Sequence, residues 1–150
     1  MLQWLIKGGS LMEIIAVNVQ TVNANQGVYF TDTVTEGNYS IVHRTGSGLV
    51  TLKGTTNQCR ARYKVSFGGN IAVPTGETVG AIQLSLAIEG EPLPSTTMIV
   101  TPAAVEEYFN VYSSVFIDVP RGCCLTVSVR NTSDIPVNVQ NANLIVERVA

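Results

Sequence analysis

The chain has 150 residues, 45% of them apolar and only 13% charged, with a formal net charge of −2 at neutral pH. That length suits one domain with a real core, and the apolar fraction argues against a disordered chain. So sparse and balanced a charge, about half the ~25% usual in soluble domains, argues against the basic footprint of a nucleic-acid binder; it suits a surface buried against copies of the same chain.

The N-terminal stretch MLQWLIKGG lacks the basic region, long apolar region and small-residue cleavage site of a secretory signal. Lys7-Gly8-Gly9 is encodable by a purine run of the ribosome-binding type, followed two codons later by Met12. Residues 1–11 are therefore expected to be either read-through leader or a short disordered tail, with the domain running from 12 to 150 in a bacterial or phage gene.

From Met12 onward the pattern alternates with period two, and helix signals are nearly absent. IIAVNVQTV reads as a first strand; GVYFTDTV, NYSIVH and LVTLKG follow as short ones. In CRARYKVSF, Cys59, Ala61, Tyr63, Val65 and Phe67 share one face, while Arg60, Arg62 and Lys64 share the other. A break is expected at Gly68-Gly69 and another at Pro74-Thr75-Gly76. TVGAIQLSLAIEG and TTMIV come next, TPAAVEEY reads as a loop or one helical turn, and EYFNVYSSVFIDV, CLTVSVRN and VNVQNANLIVERV complete the series. No stretch approaches the ~20 successive apolar residues of a membrane-spanning helix. About nine or ten strands with regular turns make an all-β sandwich or barrel.

Three groups of residues invite a chemical reading. His43, the only histidine, sits at a strand end before the Thr45-Gly46-Ser47-Gly48 run. No helix start follows those glycines, so the run reads as a hairpin turn and His43 as a packed or hydrogen-bonded residue, not a catalyst. Cys59, Cys123 and Cys124 show no metal-ligand spacing; by strand parity Cys59 and Cys123 point inward, giving free thiols at buried or half-buried positions, with a Cys59–Cys123 bridge left open. Asp32, Glu36, Asp118 and Asp134 lie in or near turns and form no calcium-loop spacing. No metal or cofactor is expected.

The interaction readings are sharper. In EYFNVYSSVFIDV the odd-numbered apolar residues suit the core, which leaves Tyr108, Tyr112 and Phe116 on the second face. At ~150–250 Å² per aromatic and ~25 cal/mol per Å², burying all three gains roughly 11–19 kcal/mol gross per protomer, before association entropy. They are expected to form a subunit interface, the alternative being cover by a loop of the same chain. The outward row Arg60, Arg62, Lys64 either protects a strand edge or contacts an anionic glycan or partner protein.

Several motifs in order resemble one family. They are Gly37-x-x-x-Ile41-x-His43-x-x-Gly46-Ser47, the Tyr63-x-Val65-x-Phe67 strand, the segment LSLAIEGEPLPSTTM, and the tail LTVSVRNTSDIPVNVQNANLIVERV. Together they are similar to the tumour-necrosis-factor/complement-like jelly roll, as in the C-terminal domains of bacterial collagen-like surface (exosporium) glycoproteins and phage virion fibre or decoration proteins. Unlike the collagen-like proteins, this chain has no Gly-X-Y stalk. The resemblance implies a ten-stranded antiparallel jelly-roll sandwich that assembles as a homotrimer, with a structural or adhesive role on a particle surface and no catalysis. Self-association and contact with other virion or spore-coat proteins or surface glycans follow, on a virion or a spore or cell surface, after synthesis in a bacterial cytoplasm without a signal peptide. The alternative is a carbohydrate- or receptor-binding adhesion module using the loops GNIAVPTGET, EGEPLPST and RNTSDIP.

Overall fold

The computed structural model describes residues 11–36 and 39–150. Among the described residues twelve strands form two antiparallel sheets: β1 (Leu11–Ala16), β2 (Gln20–Val22), β3 (Asp32–Thr35), β4 (Ile41–His43), β5 (Val50–Lys53), β6 (Arg60–Ala72), β7 (Ile82–Ile88), β8 (Glu91–Pro92), β9 (Met98–Val100), β10 (Phe109–Pro120), β11 (Cys124–Asn131) and β12 (Val137–Arg148). Sheet one has the order β10-β6-β12-β1-β3, with β2 also on β12; sheet two has the order β4-β5-β11-β7-β8, with β9 also on β7. Residues 1–10, and with them most of the leader reading, lie outside the described residues; Leu11 already pairs with Glu147.

The alternating faces meet between the sheets. Ile14, Phe30, Phe67, Leu84, Leu86 and Leu144 are fully buried there. The rings of Phe30 and Phe67 meet edge to face at 6.4 Å, the arrangement aromatic quadrupoles favour. Tyr63 of β6 ties sheet one to sheet two, because its hydroxyl donates to the Lys53 carbonyl at 2.6 Å. Burial raises the Tyr63 pKa above the ordinary tyrosine value, against the smaller opposing pull of Arg148.

Three expectations are corrected. The first expected strand is two, β1 and β2, separated at Val17–Val19. A bulge in β12 between Gln140 and Asn143 lies opposite the break; Asn141 there has φ +55° and donates its N–H to the Val17 carbonyl. Gly68-Gly69 is no break: β6 runs straight through it, because β10 and β12 flank it and satisfy its backbone on both sides. The segment GVYFTDTV is mostly irregular, and only its last three residues, 32–34, belong to strand β3.

The Thr45–Gly48 run is a turn, as read. Ser47 N–H bonds to the Arg44 carbonyl, and Gly46 takes φ +87°. Gly48 has a different reason: a Cβ there would lie 2.6 Å from the Val28 carbonyl oxygen, so only glycine lets the turn approach that segment.

Candidate interaction surface

The outer face of sheet one assembles from four strands in register. One row across it is Phe116, Lys64, Glu147 and Leu11; the next is Ser114, Ser66, Ile145 and Glu13; the third is Tyr112, Gly68, Asn143 and Ile15. All have the parity opposite to the core residues of their strands. Tyr112 is 64% exposed and Phe116 61%. A Cβ at Gly68 would make ordinary van der Waals contact with Tyr112 Cδ1 at 3.8 Å, so the ring packs over this position without requiring glycine there. Hydrogen bonds from Ser66, then Ser114, lower the Tyr112 pKa below the usual tyrosine value.

The polar groups between these side chains largely satisfy one another. Ser66 and Ser114 hydroxyls lie 3.0 Å apart, and the Asn143 amide donates to Glu13 at 2.6 Å. The face is therefore apolar at Tyr112, Phe116, Ile15, Ile145 and Leu11, with the paired Ser66, Ser114, Asn143 and Glu13 and the charged Lys64 and Glu147 between. Sequence reading found the two aromatics but missed Leu11, Ile15 and Ile145. Their signal was the same one, apolar residues on the second parity of β1 and β12.

The structure separates Tyr108 from Tyr112 and Phe116. It precedes β10 and is half-buried, and its hydroxyl donates to Glu106 Oε1 at 3.4 Å. Glu106 Oε2 also accepts from Thr75 N–H at 3.1 Å and from the Asn138 amide at 3.0 Å. Tyr108 thus shares a network that anchors the loop before β10.

The row Arg60, Arg62, Lys64 is on the same outer face, but two of its members are paired. Asp118 of β10 stands opposite Arg62 and accepts from its Nε at 2.7 Å and Nη2 at 3.2 Å; Arg60 Nε lies 3.3 Å from the same carboxylate. The hydrogen bond from Arg62 holds the Asp118 pKa below the ordinary carboxylate range. Exposed pairs of this kind add little stability, and the single Asp118 carboxylate offsets only one of the row's three positive charges. Lys64 stands between Phe116 and Glu147.

The other candidates fall as follows. His43 Nε2 lies 2.8 Å from the Ser47 carbonyl; a carbonyl only accepts, so Nε2 carries the proton. The ring also meets Phe30 edge-on at 6.4 Å. Cys59, Cys123 and Cys124 are all exposed and free, which corrects the inward parity. Cys59 precedes β6, and Cys123 ends the turn where Gly122 takes φ +78°, so neither inherits the strand's alternation. Asp118 lies within β10 rather than in a turn. Among the described residues no group of three or more His, Cys, Asp or Glu is placed to hold a metal ion.

Of the proposed ligand loops, EGEPLPST contains the turn residue Glu89, at φ +53°, whose carboxylate accepts from Thr126 N–H and Oγ1 at 2.7 and 2.6 Å. In RNTSDIP the buried Asn131 amide donates to the Val22 and Ile135 carbonyls. Both loops are braced by their own side chains.

No family model and no curated protein matches the chain. Solved structures do. The chain is similar to the globular domain of zebrafish complement 1qA protein, with a TM-score of 0.67 at 12% identity over 94% of this chain and 98% of that one. It is similar to the Eiger TNF from S. frugiperda, with a TM-score of 0.68 at 14% identity over 94% and 92%. It is also similar to PRD1 vertex protein P5, with a TM-score of 0.52 at 12% identity over 95% and 98%. The fold is the tumour-necrosis-factor/complement-like jelly roll that the motifs pointed to.

Proposed function

We propose that the chain is a non-catalytic structural surface module, a homotrimeric jelly roll mounted on a phage virion as a head decoration or fibre knob, or on a spore surface. The observation that carries this reading is the exposure of Tyr112 and Phe116 on the outer face of edge strand β10, continuous with Ile145, Ile15 and Leu11. With about three-fifths of each ring in water, the two aromatics hold roughly 190–310 Å² to bury, worth roughly 5–8 kcal/mol gross per protomer at ~25 cal/mol per Å². That is about half the gain expected from three rings, since Tyr108 is half-buried before β10 and the other two rings are already about two-fifths covered. Leu11, Ile15 and Ile145 add to it, and association entropy subtracts from it.

The likeness in fold to PRD1 vertex protein P5 favours the virion over the spore. Sedimentation of the full chain tests the assembly: the reading expects a species of three times the 16.1 kDa of one chain. A monomer at every concentration refutes it. Immunogold labelling of purified particles then separates virion from spore.

A further inference from the structure

On the other sheet, a cleft of about 250 Å³ opens between the segment after β2, the turn before β5, and β11; Gln26, Tyr29, Gly48, Leu49, Ser128 and Arg130 line it. Its walls are fixed by backbone bonds. Val28 N–H donates to the Val129 carbonyl and Asn131 N–H to the Gln26 carbonyl. The Gln20 side chain grips Tyr29 through both its backbone groups, at 2.8 and 2.9 Å. Gly48 seats the turn against Val28, so the cleft needs no rearrangement to form.

Its lining is unusual for a surface that only faces water. Ser128 has the outward parity of β11, between the inward Val127 and Val129, yet is only 5% exposed. Among the described residues its hydroxyl has no hydrogen-bond partner, and the oxygen itself is not sealed from solvent, so it is free to meet a ligand in the cleft. The Gln26 side-chain amide is likewise unpaired among the described residues. Tyr29 and Leu49 are 54% and 52% exposed at the rim. The Arg130 guanidinium donates to the Asn25 carbonyl, but both ion pairs among the described residues use Asp118, so Arg130 makes no ion pair among them.

We propose that this cleft binds one sugar ring bearing a carboxylate, a unit of the uronic-acid type. The Tyr29 ring offers a flat apolar platform for the C–H face of a pyranose, with Leu49 at its edge. The Gln26 amide and the Ser128 hydroxyl supply donor and acceptor groups for ring hydroxyls. Arg130 supplies the planar fork that matches a carboxylate. The volume falls below the ~300–1,000 Å³ of drug-sized sites, which suits a single ring. The site lies on sheet two, away from Tyr112 and Phe116, so it stands whether or not the trimer reading does.

The test is a titration of the isotope-labelled full chain with sodium D-glucuronate, followed by amide chemical shifts, with D-glucose and sodium acetate as comparisons. The expected result is saturable millimolar binding, with shifts centred on residues 26–29, 47–49 and 128–130. Glucose, which lacks the carboxylate, and acetate, which lacks the ring, each bind at least roughly tenfold more weakly, as does glucuronate to Arg130→Gln, where the charge-assisted bond is lost. Thermal melting of the variant checks that its fold is intact. No shift at these amides at tens of millimolar glucuronate overturns the proposal. Equal binding of glucose or acetate by the unaltered chain overturns it too.

Discussion

Replacing Tyr63 with Phe isolates one hydroxyl. The ring is fully buried, its oxygen donates to the Lys53 carbonyl at 2.6 Å and lies 3.4 Å from the Ser40 carbonyl, and Arg148 sits 5.9 Å over the ring. Tyr63→Phe keeps the ring, its packing and the cation above it, so no large cavity forms. What it removes is the donor that joins the sheets, leaving the Lys53 carbonyl without it. Losing a buried partner costs about 1–3 kcal/mol; at about 2 kcal/mol the melting temperature of a chain this size falls by roughly 4–8 °C. Thermal melts by circular dichroism, with urea titrations to check that the slope is unchanged, measure this. A fall of less than about 1 °C refutes the idea that this hydroxyl ties the sheets together. The same residue shapes the alkaline limb. Its folded pKa is raised, so its contribution is complete below the ordinary tyrosine pKa near ~10 and disappears as pH rises through the folded value. The variant should lose that part of the alkaline fall.

Acid works in the opposite direction. Asp118 is held below the carboxylate range by Arg62, and Glu89 by its bonds from Thr126; their contributions are present above about pH 4 and vanish as pH falls through the depressed values. The double variant Asp118→Asn/Glu89→Gln should flatten the acid limb of the stability profile, and an unchanged limb contradicts these pairings. Ellman's reagent should titrate Cys59, Cys123 and Cys124 in the native chain within minutes, since all are exposed and free; thiols that react only after unfolding would return them to the core. Gly54→Ala should destabilise severely, by about 3 kcal/mol or more, because its Cβ would sit 2.0 Å from the Pro120 carbonyl oxygen. Gly80→Ala, where a Cβ meets nothing within 4 Å, should change the urea midpoint little.

How much of this was legible depended on whether the information was local. Parity assigned Ala61 to Phe67 to the core because a strand paired on both sides keeps strict alternation. It also placed Tyr112 and Phe116 outward. Parity failed where a residue stands just outside its strand, as Cys59, Cys123 and Tyr108 do. Glycine at 68 and 69 looked like punctuation, but flanking strands override a weak local preference. The split between β1 and β2 was hidden because its cause, the bulge at Asn141, lies more than a hundred residues away. The cleft was invisible for the same reason: Gln26, Tyr29, Leu49, Ser128 and Arg130 come from three separate segments, none of which carries a motif.

The proposed assembly joins subunits through Tyr112 and Phe116 on the outer face of sheet one. Light scattering after size exclusion, on the chain and on a Tyr112→Ser/Phe116→Ser variant, tests it most directly. A mass three times 16.1 kDa is expected for the first and a folded monomer for the second. A monomer for both, or a trimer that survives the double change, contradicts it.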